Sequence, residues 1–215
     1  MKKYILLFDF GHGTRNYTAG KHSPEYILVD GKKVYTLYEG EWAREVGRRI
    51  VSAMQLLGFD CRIIVPEDVD IPLQTRCERA NRIIRDNPDA QCIFISIHIN
   101  AAASDGQWHN ATGFTVWVSK SASQESRKLA RTLYETAEQM DLKGNRSVPP
   151  EKYWQANFTV ITNTKCPAVL TENLFQDNKK DVDFLLSERG KETIVDLHVA
   201  GLCKYLNHPY GLIVK

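Results

Sequence analysis

Cys92-Ile93-Phe94-Ile95-Ser96-Ile97-His98-Ile99-Asn100 is an apolar run, rich in β-branched and aromatic residues, that turns polar at its end. An unbroken run of this kind fits a strand buried on both faces of a parallel sheet. Ala101-Ala102-Ala103 and Ser104-Asp105-Gly106 follow as a small-residue loop. Open α/β sheets place their ligands at the carboxyl ends of strands. His98 is therefore a candidate ligand or base, although a lone His reads equally well as a hydrogen-bonded structural residue.

The same alternation extends on both sides of this stretch. Lys3 to Phe10 reads as a first strand, stopping at Asp9-Phe10-Gly11-His12-Gly13-Thr14. Two glycines around a His allow unusual dihedrals and a close approach to a ligand. Glu39 to Leu57 has helical periodicity, with Trp42, Val46, Ile50, Ala53 and Leu57 on one face and Gly58 as the stop. Phe59 to Val65 reads as a second strand. Leu73 to Arg85 reads as a second helix with Leu73, Cys77, Ala80, Ile83 and Ile84 inward. Ala111 to Ser119, Phe158 to Ile161 and Pro167 to Glu172 read as further strands. Ser123 to Met140, Asp177 to Ser187 and Glu188 to Leu206 read as helices, and Gly144 to Trp154 as a loop at the site rim. Strands alternating with helices predict an α/β fold: a three-layer αβα arrangement around a mostly parallel sheet of six strands. Tyr26 to Val29, a turn at Asp30-Gly31 and Lys33 to Tyr35 predict a β-hairpin insertion near residues 15–38, overhanging the carboxyl edge.

Length and composition narrow the function classes. The 215 residues suit one substantial domain, taken as residues 1–215. A net charge of +2 argues neither for nor against a nucleic-acid partner, but there is no clustered basic stripe of the kind a nucleic-acid face needs, and no such partner is expected. Cys61, Cys77, Cys92, Cys166 and Cys203 are odd in number and scattered, which suggests buried free thiols rather than a Cys-rich metal site. Met1-Lys2-Lys3 precedes an apolar run that Asp9 breaks, too short for a signal-peptide core, so synthesis in the cytoplasm is expected. No stretch has the apolar length of a membrane span.

Four polar residues share one property. His12 follows the first strand, Glu39 opens the first helix, His98 ends the third strand, and Glu172 ends the last. Strand ends and the N-termini of the following helices lie on one edge of a right-handed parallel sheet. Two His and one carboxylate form a catalytic zinc set, and a further carboxylate can serve as general base. A metal-free cleft and a structural metal site are the competing readings. Glu39 also reads as a first-turn carboxylate facing the helix dipole, and Glu41 competes with it for any role.

At this level of detail the chain resembles the zinc-dependent N-acetylmuramoyl-L-alanine amidases of the amidase 3 type, from about Ile5 to Leu206. The carriers come in order. They are Asp9-Phe10-Gly11-His12-Gly13, then Glu39 with Leu57-Gly58-Phe59, then Leu73-x-x-Arg76-x-x-x-Ala80-Asn81. Ser96-Ile97-His98-Ile99-Asn100-Ala101 follows, and Pro167 to Glu172 with Phe175, Asn178 and Asp181 closes the series. The resemblance implies that His12, Glu39 and His98 bind one Zn2+ per chain and that Glu172 is the catalytic carboxylate. It implies a peptidoglycan substrate, cut between N-acetylmuramic acid and the L-alanine of the stem peptide. A monomer is expected, and a phage or prophage lysin would fit a wall hydrolase without a signal peptide. Phe10, Asn173 and Leu174 depart from the usual family residues, and the Asn16–Tyr35 insertion is long; its Thr18–Pro24 part is a candidate contact for the stem peptide. His22 and His109 are expected to be loop residues. A zinc peptidase or deacylase on small amides, or an inactive wall-binding protein, are the alternatives.

Overall fold

A computed structural model describes residues 3–27 and 34–212. The elements in order are β1 (Lys3–Phe10), β2 (Tyr26–Ile27), β3 (Val34–Tyr35), α1 (Glu39–Leu56), β4 (Asp60–Ile63), α2 (Leu73–Asp86) and β5 (Ala90–Asn100). They continue with β6 (Thr115–Val118), α3 (Gln124–Gln139), β7 (Trp154–Gln155), α4 (Thr159–Thr162), β8 (Ala168–Phe175), α5 (Lys179–Leu186) and α6 (Glu188–Tyr205). A short 3-10 turn spans Pro209–Leu212. No helix among the described residues is long and apolar enough to cross a membrane.

The sheet runs β4-β1-β5-β8-β6-β7. All its pairings are parallel except β8 with β6. β1 and β5 are central, which explains their unbroken apolar sequences: each residue buries on one face or the other. Leu6, Phe8, Phe10, Ile93, Ile95 and Ile97 join the core that α1, α3 and α6 cover. Ile5, Leu7, Cys92 and Phe94 join the core under α2 and α4. This is the expected three-layer α/β arrangement.

The insertion forms the expected antiparallel pair, β2 with β3. Its predicted turn, with Leu28, Val29, Asp30 and Gly31, lies outside the described residues. The insertion's near end is tied to α1: Glu39 N–H donates to the Lys21 carbonyl, and Ser23 pairs with Leu37. All five cysteines are free; Cys166 is half-buried and the others are buried.

Three expectations need correction. Phe158 to Ile161 is not a strand; Thr159–Thr162 is a helical turn, and the sheet's strand in this region is β7, Trp154–Gln155, which the sequence placed at the end of a loop. The β-branched run favours a strand intrinsically. Consecutive Val160 and Ile161 are both buried against α2, which one face of a strand cannot achieve. Leu73 is not inward; it is half exposed at the first turn of α2, after Pro72. Finally, β8 continues past Glu172 to Phe175. Its register against β5 slips after the His98–Glu172 pair, so that Asn100 meets Phe175. Leu174 takes a φ of 63° at this irregularity. A bulge here ends the regular ladder beside Glu172.

Candidate metal centre

β1, β5 and β8 end together, and the register aligns their polar residues. Asp9 pairs with Ser96, and His98 pairs with Glu172. Period-two alternation puts Asp9, Ser96, His98 and Glu172 on one face, the face α2 covers. The N-terminus of α1 reaches over the strand ends from the other layer and delivers Glu39.

The His12 turn is built on close approach. His12 itself takes the left-handed φ of 57°, while Gly11 and Gly13 remain at ordinary φ. A Cβ on Gly11 would lie 2.5 Å from the His98 ring, and one on Gly40 would lie 1.6 Å from the Gly13 carbonyl. Glycine at 11 lets the His98 ring pack against the turn, and glycine at 40 lets α1 dock on it. Arg44 fixes this junction by donating from one nitrogen to the carbonyls of Gly11 and Gly40.

His12, Glu39 and His98 each offer a ligand atom within 4.8 Å of the others. His98 Nδ1 lies 3.0 Å from Glu39 Oε1, which also accepts from the Ile99 N–H at 3.0 Å. His12 Nε2 lies 3.5 Å from Glu39 Oε2. That oxygen is buried without a hydrogen-bond partner. Leaving a buried carboxylate oxygen unanswered is costly, and a cation between the two imidazoles would answer it. Two nitrogens and one carboxylate oxygen are also a donor set that zinc takes with a position left open. The residues present therefore fit a metal ion.

Electrostatics agree with a site built for a cation. Burial, with the charges of His98 and Lys21, pulls His12 down to about 4 against the opposing pull of Glu39. His12 thus stays neutral at ordinary pH, the state a ligand needs. Burial disfavours the charged form of Glu39, yet the hydrogen bond from His98 and the positive charges around it hold its pKa below the usual range. Burial also works against protonation of His98, but Glu39 raises its pKa overall. A cation bound there would displace the hydrogen between His98 Nδ1 and Glu39 Oε1. Glu172 is half-buried, and its Oε2 has no partner. Burial pushes it up to about 8, with Glu39 adding to the rise and His98 opposing it.

The remaining candidates fall outside the centre. Glu41 points away and pairs with Arg15. His22 Nδ1 contacts the Ser23 carbonyl, and His109 Nε2 contacts Asp105. Sequence reading gave no role to Asn173 or Asp70, and named Lys21 only within the Thr18–Pro24 candidate contact for the stem peptide. Asn173 is buried and donates to the His98 carbonyl, fixing the strand at the bulge. Asp70 Oδ2 lies 4.0 Å from His12 Nδ1 and accepts from Thr18. Of the first two, only Asn173 carried a signal in the sequence, its place beside Glu172. A cleft of about 470 Å³ opens here, lined by His12, His98, Thr18, Asp70 and Leu73 among others. The exposed Leu73 is thus part of the cleft wall.

Residues 6–204 match the family described as N-acetylmuramoyl-L-alanine amidase. The chain belongs to this amidase family. It is 27% identical to the endolysin of Bacillus phage SPP1 over 210 residues, covering 96% of this chain and 67% of the relative. It is 27% identical to the probable cell wall amidase LytH of Staphylococcus aureus over 203 residues, covering 94% of this chain. The match spans 58% of the staphylococcal protein. Two solved structures share the fold. An N-acetylmuramoyl-L-alanine amidase from Clostridium difficile 630 gives a TM-score of 0.72 at 22% identity, covering 97% of this chain and 100% of that one. The amidase Ami1 of Mycobacterium smegmatis gives 0.75 at 17% identity, covering 96% and 98%. The family's enzymes are amidases, and the amidase fold expected from the sequence is the fold found.

Proposed function

We propose that this chain is the catalytic domain of a peptidoglycan amidase that cuts the bond between N-acetylmuramic acid and L-alanine, with one zinc ion held by His12, Glu39 and His98. The observation that carries this reading is the convergence of those three ligand atoms within 4.8 Å, beside Glu172, in a member of the amidase family. A zinc ion bound there supplies Lewis-acid polarisation of the scissile carbonyl and acidifies water.

The chain's own residues do the rest. Glu172 accepts a proton from the attacking water and returns it to the leaving amide nitrogen. Its burial makes it a stronger base than an exposed Glu, and so a better acceptor and later donor near neutral pH. A positive charge nearby lowers its pKa from the metal-free value and keeps it ionised before the proton arrives. Lys21, in the insertion, adds positive charge in the same direction. Asn173 holds the His98 backbone, and Glu39 Oε1 is oriented by the Ile99 N–H, so the ligands are placed before substrate arrives. The relationship to a phage endolysin favours a lysin acting on the cell wall.

Digestion of purified peptidoglycan tests this. Mass spectrometry should find free L-alanine amino termini and intact glycan strands, lost on chelation and restored by zinc. Cleavage only of small soluble amides would instead support the deacylase reading.

A further inference from the structure

The Leu73-x-x-Arg76 stretch has so far no part in the chemistry, yet Arg76 is only 1% exposed and all its contacts lead towards the centre. Its Nη1 donates to Asp9 Oδ1 at 2.9 Å and to the Phe10 carbonyl at 2.7 Å. Its Nη2 donates to Asp70 Oδ1 at 2.8 Å, and its Nε to the Ile71 carbonyl. The two carboxylates it joins each look outward to a different histidine.

Asp9 reaches His98 through Ser96. Ser96 Oγ lies 2.5 Å from Asp9 Oδ2, and His98 Nε2 lies 3.1 Å from Ser96 Oγ. A carboxylate only accepts, so the single Ser96 hydroxyl proton goes to Asp9. Ser96 Oγ must then accept from His98, which puts a hydrogen on Nε2 and leaves Nδ1 facing Glu39. Asp70 Oδ2 lies 4.0 Å from His12 Nδ1. That is too long for a hydrogen bond, but a negative charge there favours the hydrogen on Nδ1. The His12 Nε2 lone pair is then left on the Glu39 side.

We infer that Arg76 is a positioning residue for both histidines: one guanidinium fixes Asp9 and Asp70, and through them sets each imidazole in the tautomer that presents its free nitrogen towards Glu39. The planar fork makes four bonds at once, to two carboxylates and two carbonyls; an ammonium has only three donors on a flexible stem and cannot supply them all. Outer partners of this kind typically govern metal affinity by about 10- to 100-fold. The inference rests on the proposed metal site and adds to it the device that orients the ligands.

The test is zinc affinity, measured by competition with a chromophoric chelator, together with the histidine tautomers read from long-range nitrogen–proton couplings in the zinc-loaded protein. Wild type should bind one zinc, with the hydrogen on Nε2 of His98 and on Nδ1 of His12. Ser96→Ala keeps the Asp9–Arg76 pair and should weaken zinc about 10- to 100-fold. Asp70→Asn should weaken it less, at the longer distance. Arg76→Lys should cost at least as much as Ser96→Ala, and little more when added to the Ser96→Ala/Asp70→Asn pair. If Arg76→Lys does not give a cooperative metal-free melt, the other two variants carry the test. Ser96→Ala within twofold of wild type, or His98 protonated on Nδ1 when loaded, overturns the inference and leaves the metal site standing. Wild type that binds no zinc overturns both.

Discussion

Two buried polar groups adjoin at the carboxyl end of the sheet, and they are finished to different degrees. Asp9, Ser96 and Arg76 answer one another: both Asp9 oxygens accept a hydrogen bond, and the charge pair is wholly buried. His12, Glu39 and His98 do not: Glu39 Oε2 has no partner, and His12 sits in a left-handed conformation. Native interiors seldom leave a buried charge unanswered. Strain and an orphaned acceptor at one group, beside a complete network one step away, fit the metal ion proposed for the first. The finished group acts as the fixed base from which the unfinished one is aimed.

The largest expected effect falls on chemistry alone. Glu172→Ala should lower kcat about 10²- to 10⁴-fold while zinc stoichiometry and melting stay near wild type. Joint loss of zinc and activity would place Glu172 among the ligands. Next, Asp9→Asn attacks the finished group and removes the one wholly buried charge opposite Arg76, leaving it the partly exposed Asp70. Denaturant unfolding of the metal-free protein should register about 3–5 kcal/mol of lost stability. A loss below about 1 kcal/mol would mean that the pair is not the fixed base described here.

A third histidine sharpens the contrast. His198 in α6 is fully buried, with Nδ1 at 2.9 Å from the Ile194 carbonyl and Nε2 at 3.0 Å from Thr171 Oγ1. Both partners are neutral, so burial dominates and lowers it to about 4, only slightly offset by the Ile194 bond. The unfolded chain takes up a proton near pH ~6.5 and the folded one does not until about 4. Stability is therefore whole above that upper limit and falls as pH drops through the window. At roughly 1.4 kcal/mol per unit, the loss approaches about 3 kcal/mol. His198→Asn should flatten that part of the stability–pH curve; an unchanged slope would show that His198 titrates normally. The smallest effect belongs to Glu41→Ala. Its partner Arg15 is exposed, so zinc affinity and activity should stay at wild-type values, and a drop in either would return Glu41 to the ligand set.

Much of this was legible in the sequence because β1 and β5 carry their burial in their residue types. A central parallel strand has no polar side, so Ser96, His98 and Asp9 stood out against their neighbours. The edge was less legible. β7 has only Trp154 and Gln155, too short to show a period, and Val160-Ile161 looks like a strand until α2 is in place to receive both side chains. Leu73 matched a helical stripe but faces the cleft, because its position at the first turn decides more than its hydrophobicity. The links from Arg76 to His98 and His12 join residues distant in the chain, and only the fold brings them into register.

The most direct measurement is diffraction at the zinc absorption edge from crystals of the zinc-loaded protein. The account predicts one anomalous peak per chain, in contact with His12, Glu39 and His98, and absent in Glu39→Gln. A peak at another place, or none at saturating zinc, would contradict it.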